Sequence, residues 1–300
     1  MKKVIFISLL AFFALSLNTA FAQNDSIYVM RNGSVIWKYK FSDIDSIIYY
    51  NPDNINIPDT PIDTGTLITG TFTDPRDGYE YSWVQIGSQI WMAENLRYLP
   101  SVVNILRSSD TIPYCYVHGY YVVYSEPTVE EAKTKANYIT YGALYNWTAA
   151  MNGAESSDAN PSGVQGICPD GWHLPSDAEW KQLEMYLGMT EEQANGENYW
   201  RESNSEGGKL KETSYTYWFG PNIGATNETG FTALPGGTTP DGTGPTLRYR
   251  GFWWSATCNT TQHYSGRYFV KVRELHYNER GIFRSDCPKS AAYSIRCVKD

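Results

Sequence analysis

The side chains that usually catalyse reactions or bind metal ions are present in this sequence, but not at the spacings those tasks require. The four histidines show no His-x-His or His-x-x-x-His spacing, and no Gly-x-Ser-x-Gly segment marks a nucleophilic serine. Gly207-Gly208-Lys209 lacks the upstream glycine and the following hydroxyl of a phosphate-binding loop. Acidic pairs such as Glu130 and Glu131 lie in first turns of predicted helices, where the helix dipole accounts for them. We therefore predict no catalytic residues, no metal and no cofactor.

Asp74 and Asp77 are two carboxylates close enough in sequence to share a calcium ion. Calcium takes about six to eight oxygen ligands, so two carboxylates are too few. The Asp-Pro-Arg-Asp-Gly segment that contains them is typical of a turn. We predict that both aspartates are turn residues.

Aromatic side chains are the other group able to recognise a ligand: the chain has 24 Tyr, 11 Phe and 10 Trp, or 15% of its residues. One interpretation is that they fill the core of a strand-rich extracellular fold, and the other is that a subset lines a sugar-binding surface. Tyrosines crowd residues 100–127, an irregular stretch of the kind that carries binding residues on a rigid scaffold. Our candidate contact residues are Tyr120, Tyr121, Trp218 and Trp253.

Helix signals indicate what positions these residues. Ser176 and Glu179 form a capping box, which predicts a helix from Asp177. Thr128 with Glu131 predicts another from Val129. Apolar residues at helical spacing follow the first cap, before a stop at Gly188: Trp180, Leu183 and Leu187.

Further helices are expected on either side of these. The cap at Thr190 predicts a short helix over residues 191–199. An amphipathic helix is predicted from the spacing of Leu144, Trp147 and Met151.

Strand signals dominate the rest of the chain. Gly87-Ser88 suits a two-residue hairpin loop that places Val84 beside Trp91. Residues 267–275 and 282–284 are expected to pair. Residues 291–299 are predicted to be one last strand with three residues on one face: Tyr293, Ile295 and Cys297.

The N-terminal 66 residues are expected to form separate segments. Residues 1–22 have the charged start, apolar centre and small-x-small site of a cleaved signal peptide. Residues 23–50 predict a small β unit, with a hairpin around Asn32-Gly33 and a third strand over 41–50. Residues 51–66, rich in proline and aspartate, predict a linker to a main domain over residues 67–300.

Charge and cysteine usage indicate where the protein works. Loss of Lys2 and Lys3 with the signal changes the net charge from −8 to −10, which disfavours nucleic acid and anionic membranes as partners. No segment after the signal is long and apolar enough to span a membrane. Because no cysteine precedes Cys115, lipid attachment is not expected, and we predict a secreted, periplasmic or cell-surface protein. The odd count of five cysteines leaves at least one without an intramolecular disulfide.

Seven sequence blocks follow one another along the chain. The central block is Cys168-Pro-Asp-Gly-Trp-His-Leu-Pro-Ser-Asp-Ala-Glu-Trp180. The other six lie at residues 89–96, 141–147, 207–211, 230–237, 251–255 and 294–300. Together they resemble the Fibrobacter succinogenes major paralogous domain, a family of secreted bacterial proteins, and the resemblance covers roughly residues 70 to 300.

The resemblance implies an α+β domain with a C-type lectin-like fold and long loops, related to formylglycine-generating-enzyme-like domains. It also implies a disulfide between Cys168 and Cys297. A second disulfide between Cys258 and Cys287 is our further expectation. The glycan-binding calcium motifs of C-type lectins are not matched, and the closely spaced cysteine pair of the formylglycine-generating enzymes is absent, so neither activity is carried over.

These observations predict an exported, non-enzymatic binding module that recognises a glycan or a surface protein through its loops. One alternative is an enzyme acting on polysaccharide or cell wall, which needs a cleft with two carboxylates. The other is a structural subunit of a surface assembly that uses residues 24–50 for contacts. The sequence leaves the oligomeric state open.

Overall fold

A computed structural model describes residues 67–239, 246–259 and 268–300 of this chain, together with the backbone of four strands nearer the N-terminus. The chain divides into two compact units, Met1–Gly65 and Thr66–Asp300. Most of the predicted signal peptide and the predicted linker at 51–66 lie outside the described residues, so signal cleavage stays a prediction.

In the part of the first unit that the structure describes, the strands are β1 (Lys3–Ser8), β2 (Ser26–Arg31), β3 (Ser34–Lys40) and β4 (Ile44–Tyr50). Strands β2 and β3 form the predicted hairpin, with Arg31 opposite Ser34. The predicted third strand exists as β4, but it pairs in parallel with β1 and not with the hairpin. The run of Val, Ile and Phe in β1, predicted as the apolar centre of the signal, is also rich in strand-forming residues.

The second unit mixes short helices with a larger share of strands. Its first half contains β5 (Thr69–Thr73), β6 (Glu80–Ile86), β7 (Gln89–Met92), β8 (Cys115–Tyr116), α1 (Val129–Lys133), α2 (Ala136–Tyr141), β9 (Leu144–Asn146) and α3 (Trp147–Met151). Its second half contains β10 (Trp172–His173), α4 (Asp177–Tyr186), α5 (Glu191–Asn195), β11 (Trp200–Arg201), α6 (Glu206–Leu210), β12 (Arg250–Cys258), β13 (Phe269–His276), β14 (Ile282–Pro288), β15 (Ala292–Tyr293) and β16 (Val298–Lys299).

The described residues of this unit form three sheets, with strand orders β10-β16-β7-β6-β5, β11-β14-β13-β12 and β15-β9-β8. The β6–β7 hairpin turns at Gly87, whose φ is +61°, and places Val84 opposite Trp91 as predicted. Before it, Asp74 is buried and accepts from the amide and guanidinium of Arg76. Arg76 in turn donates to the carbonyl of Ile167, so Asp74 is the turn residue that the sequence predicted.

Helix α4 begins where the capping box predicts. The Ser176 hydroxyl accepts from the Glu179 amide at 3.1 Å, and Glu179 Oε2 accepts from the Ser176 amide at 2.9 Å. Trp180 packs on Trp91 with ring centroids 4.7 Å apart, inside an apolar cluster that also holds Leu183. The helix therefore carries one side of the core.

Buried charges join α4 to the four-stranded sheet. Asp177 pairs with Arg273 and Arg284, each at 2.7 Å, and the fully buried Glu184 pairs with Arg201 at 2.8 Å and with Arg273. Burial alone would raise the pKa of Asp177, but the charges and hydrogen bonds of the two arginines hold it well below its usual value.

The disulfide between Cys168 and Cys297 is present, with Cα atoms 6.0 Å apart. It links the segment before β10 to the segment before β16. The expected bond between Cys258 and Cys287 is wrong, because both thiols are free. Each is the register partner of Val270, on opposite sides of β13, and two strand spacings of about 4.8 Å exceed the Cα separation that a disulfide spans.

Several predicted elements have different bounds. The helix predicted over residues 191–199 ends at Asn195. The helix predicted across Leu144 begins only at Trp147, because the Asn146 side chain accepts from the Ala149 amide and caps it there. Leu144 instead belongs to β9. The predicted last strand is divided into β15 and β16, which lie in different sheets. Residues on both of its faces are buried, so no single alternating face exists.

Candidate functional site

The four predicted contact residues differ sharply in exposure. Tyr121 is 47% exposed, whereas Trp218 and Trp253 are buried. Trp218 Nε1 donates to the Ala233 carbonyl and Trp253 Nε1 donates to Asn95 Oδ1, each at 3.0 Å. Because the indoles have found polar partners inside the core, the prediction that they contact a ligand is wrong.

Tyr120 lies beside Tyr121 but has a different role. Its side chain is 3% exposed, so its ring offers no free face for stacking and the prediction of a direct contact is corrected. The hydroxyl donates to Glu131 Oε2 at 3.0 Å and accepts from the Thr128 amide at 3.3 Å. Tyr120 thereby attaches the tyrosine-rich stretch of residues 100–127, which we call the tyrosine-rich insertion, to the start of α1.

The insertion and helices α1 and α2 enclose a cleft of about 290 Å³. We call it the tyrosine cleft; it is lined by His118, Gly119, Tyr120, Tyr121, Glu131, Lys135, Ala136 and Asn137. One wall is a turn in which the Tyr120 amide donates to the Val117 carbonyl and Gly119 has a φ of +74°. Asn137 Nδ2 donates to the His118 carbonyl at 2.9 Å, which holds this turn against α2.

Opposite charges meet at the opening of the tyrosine cleft. Lys135 Nζ lies 2.7 Å from Glu131 Oε1 and 5.1 Å from the centre of the Tyr120 ring. The hydrogen bonds from Lys135 and then from Tyr120 lower the pKa of Glu131. Glu131 is therefore an ionised acceptor beside a cationic donor, an arrangement that suits neighbouring hydroxyl groups of a ligand.

A second cavity, of about 330 Å³, lies beside the disulfide. Arg76 and Tyr98 line it, with the guanidinium 3.9 Å from the centre of the ring. Arg76 already donates to Asp74 and to the carbonyls of Ile167 and Cys168. We assign this cavity a structural role and take the tyrosine cleft as the candidate site.

His173 lies in a buried row of titratable groups. Its Nε2 is 2.7 Å from Glu179 Oε1, and its Nδ1 is 2.7 Å from Asp300 Oδ1. Burial lowers the pKa of the imidazole, but Glu179 and then Asp300 raise it, and the net effect is a raised pKa for His173. Because both ring nitrogens contact carboxylates, His173 is a hydrogen-bonded histidine of the core.

The sequence matches the family model of the Fibrobacter succinogenes major domain over residues 84–299. The chain belongs to this family. No curated protein and no solved structure matches the chain, so the lectin-like fold stays a prediction while the mixture of helices and sheets is observed. The family domain contains the whole tyrosine cleft, helix α4 and both disulfide cysteines.

Within the family domain, sequence reasoning identified part of the cleft. It selected the tyrosine-rich insertion and, separately, the cap formed by Thr128 and Glu131, but not their meeting. Lys135 and Asn137 were missed, since no local pattern distinguishes them from ordinary surface residues of a helix.

In the part of the chain that the structure describes, none of the helices has the length and hydropathy needed to cross a membrane.

Proposed function

We propose that this protein is an exported binding module that recognises a glycan in the tyrosine cleft. The observation that carries the proposal is the half-exposed ring of Tyr121 beside the ion pair of Glu131 and Lys135. An aromatic face packs against the apolar side of a sugar ring, and the charged groups exchange hydrogen bonds with its hydroxyls. The volume of the cleft, about 290 Å³, is slightly below the range of about 300–1,000 Å³ for ligand sites, which favours a short saccharide.

Binding is favoured over hydrolysis by the charged groups of the cleft. Glycosidases generally use two carboxyl groups about 5 to 9.5 Å apart. Among the residues described, Glu131 is the carboxylate that lines the cleft, and its nearest partners are a lysine and a tyrosine hydroxyl. Its lowered pKa also suits an acceptor better than a general acid.

A glycan array followed by calorimetry with the best ligand tests this proposal. Tyr121→Ala should weaken binding about tenfold, because it removes the stacking face. The matched control is Tyr124→Ala, which removes a fully exposed tyrosine of the same insertion that does not line the cleft. Absence of saturable binding, or equal losses in the two variants, would contradict the proposal.

Export is a separate part of the proposal and has its own test. Sequencing the N-terminus of the protein produced in its native host should find Gln23 as the first residue. A chain that begins at residue 1 or 2 would contradict export by a cleaved signal.

A surface protein is the second candidate ligand. Several exposed apolar side chains of the insertion favour it: Leu106, Ile112, Val123 and Tyr124. Replacing Leu106 and Val123 with serine should abolish capture of such a partner while leaving saccharide binding unchanged. Capture that survives both replacements would exclude this surface.

A further inference from the structure

A row of aromatic side chains crosses one end of the four-stranded sheet. Trp200 on β11 is paired in register with Phe283 on β14, and His276 on β13 is paired with Arg250 on β12. Phe283 is also opposite Glu274, two residues before His276. Directly opposed residues share a face of the sheet, so these side chains project together, away from the face that meets α4.

The rings contact one another in an unbroken series. Trp200 lies 5.1 Å from Phe283 and 5.8 Å from His276 between ring centroids. His276 is 4.6 Å from Tyr277, which is 5.3 Å from Tyr249. The series ends at Phe219, which stacks on Tyr249 at 4.7 Å. We call this set the aromatic row.

The aromatic row is accessible along its length. Phe219 is 44% exposed, and the other five members are half-buried. In the core of this protein, by contrast, rings such as Trp91 and Trp180 are almost wholly enclosed. Exposed aromatic rings that form a continuous patch are typical of binding surfaces.

The cationic side chains nearest the row already have polar partners within the protein. Burial, and then the charges of Arg250 and Lys211, lower the pKa of His276 to about 4, so the imidazole is neutral. Arg250 is paired with Glu274 at 3.3 Å. Arg248 donates to the carbonyls of Tyr215 and Tyr217, and Lys211 donates to the carbonyls of Ile223, His276 and Glu279. A surface of neutral rings whose charged neighbours are hydrogen-bonded in this way complements an uncharged ligand better than an ionic one.

The geometry of the row also limits the shape of the ligand. Neighbouring ring planes are inclined by angles from 22° to 87°, so the row is twisted and does not form one flat platform. A flexible polymer with one ring in each repeat can follow such a surface. A crystalline face cannot.

We infer that the aromatic row is a second binding surface, which takes a single chain of neutral polysaccharide by packing successive sugar rings on successive aromatic rings. The inference goes beyond the short saccharide proposed for the tyrosine cleft and does not depend on it, because no residue belongs to both sites. Arg250, 46% exposed at its side chain, supplies hydrogen-bond donors to hydroxyls along the chain.

Affinity electrophoresis of the purified protein in gels containing hydroxyethylcellulose, xylan or dextran tests this inference. At least one of these soluble neutral polysaccharides should retard the protein. Trp200→Ala and Phe219→Ala should each weaken that interaction about tenfold. Phe219 lies at the exposed end of the row, so its variant tests the surface even where the loss of Trp200 disturbs folding.

Two control variants separate the row from the rest of the molecule. Tyr186→Ala removes an exposed tyrosine of α4, and Tyr124→Ala removes an exposed tyrosine that belongs to neither the row nor the lining of the tyrosine cleft; both should be retarded like the unaltered protein. Retardation by none of the three polymers would overturn the inference, as would equal effects in row and control variants. Stronger binding to polygalacturonate, to crystalline cellulose or to a proline-rich peptide at the row would overturn it in favour of that ligand.

Discussion

Glu179 Oε1 lies 2.7 Å from His173 Nε2, while Glu179 Oε2 accepts a hydrogen bond from the amide of Ser176, the residue at the start of helix α4. One carboxylate thus begins helix α4 and holds the imidazole that precedes it. Glu179 Oε2 also accepts from the Ser162 amide at 3.0 Å. The capping box, a local signal in the sequence, is here part of a buried network that joins three segments.

This network predicts that stability depends on pH above the usual range of histidine titration. The pKa of His173 is raised in the folded state, so its contribution is fully present below the unfolded pKa of about 6.5 and is lost as pH rises through the folded pKa. The His173→Asn variant should not show this part of the decrease in unfolding free energy. Denaturant unfolding at intervals from pH 6 to pH 9 measures it, and parallel curves for the two proteins would contradict the assignment.

Glu274 predicts a second dependence in a lower range of pH. Burial raises its pKa to about 7, while Arg250 acts to lower it. Arg250 Nη1 lies 3.3 Å from Glu274 Oε1, which accepts no hydrogen bond among the described residues, so attraction offsets burial only in part. Folding therefore favours the protonated acid, and its stabilising effect is present below pH 4.5 and lost as pH rises through 7.

The matching variant is Glu274→Gln, which keeps the shape and removes the charge. At about 1.36 kcal/mol for each pKa unit, it should avoid a loss of up to about 3 kcal/mol in unfolding free energy between pH 4.5 and pH 8. Glu130→Gln, at an exposed position of α1, should retain the full loss. If Glu274→Gln is no more stable than the unaltered protein at pH 8, ionising Glu274 does not lower the unfolding free energy and the prediction is wrong.

The disulfide predicts a large and selective effect on stability. Cys168 and Cys297 are 129 residues apart, and closing so long a loop is worth about 4 to 5 kcal/mol in the chain-entropy account. Replacing both with alanine should lower the unfolding free energy by about that amount. Cys258→Ser is the control, because that thiol is free and should change stability little. Peptide mapping without reductant must recover the Cys168 peptide joined to the Cys297 peptide.

Local signals in the sequence predicted the points where elements begin and turn. The cap at Ser176, the loop at Gly87 and the hairpin around Asn32-Gly33 all depend on residues within four positions of each other. The family resemblance added the Cys168–Cys297 bond, which no local pattern specifies. The cap and the turns are predictable because near neighbours decide their energetics. The disulfide is predictable because the family pattern contains both of its cysteines.

Contacts between distant segments were not predictable from the sequence. From the sequence alone, Trp218 and Trp253 resemble exposed ligand-binding residues. In the fold they are buried, and their indole nitrogens donate to Ala233 and Asn95. The aromatic row likewise depends on strand register, which brings Trp200 beside Phe283 across 83 positions of sequence. Such assignments need the partner strand, and a single-residue shift in register would place the same ring on the opposite face.

The last prediction concerns the buried charges beneath α4. Glu184 is fully buried between Arg201 and Arg273, so replacing it with glutamine leaves the buried Arg201 without this carboxylate and Arg273 with Asp177 alone. Breaking a buried ion pair from one side typically costs about 3 to 5 kcal/mol, because the remaining charge stays desolvated. Glu191→Gln, in the exposed first turn of α5, should cost far less. Chemical denaturation of the two variants measures the difference, and a Glu184 variant as stable as its control would mean that water reaches these arginines when the carboxylate is lost.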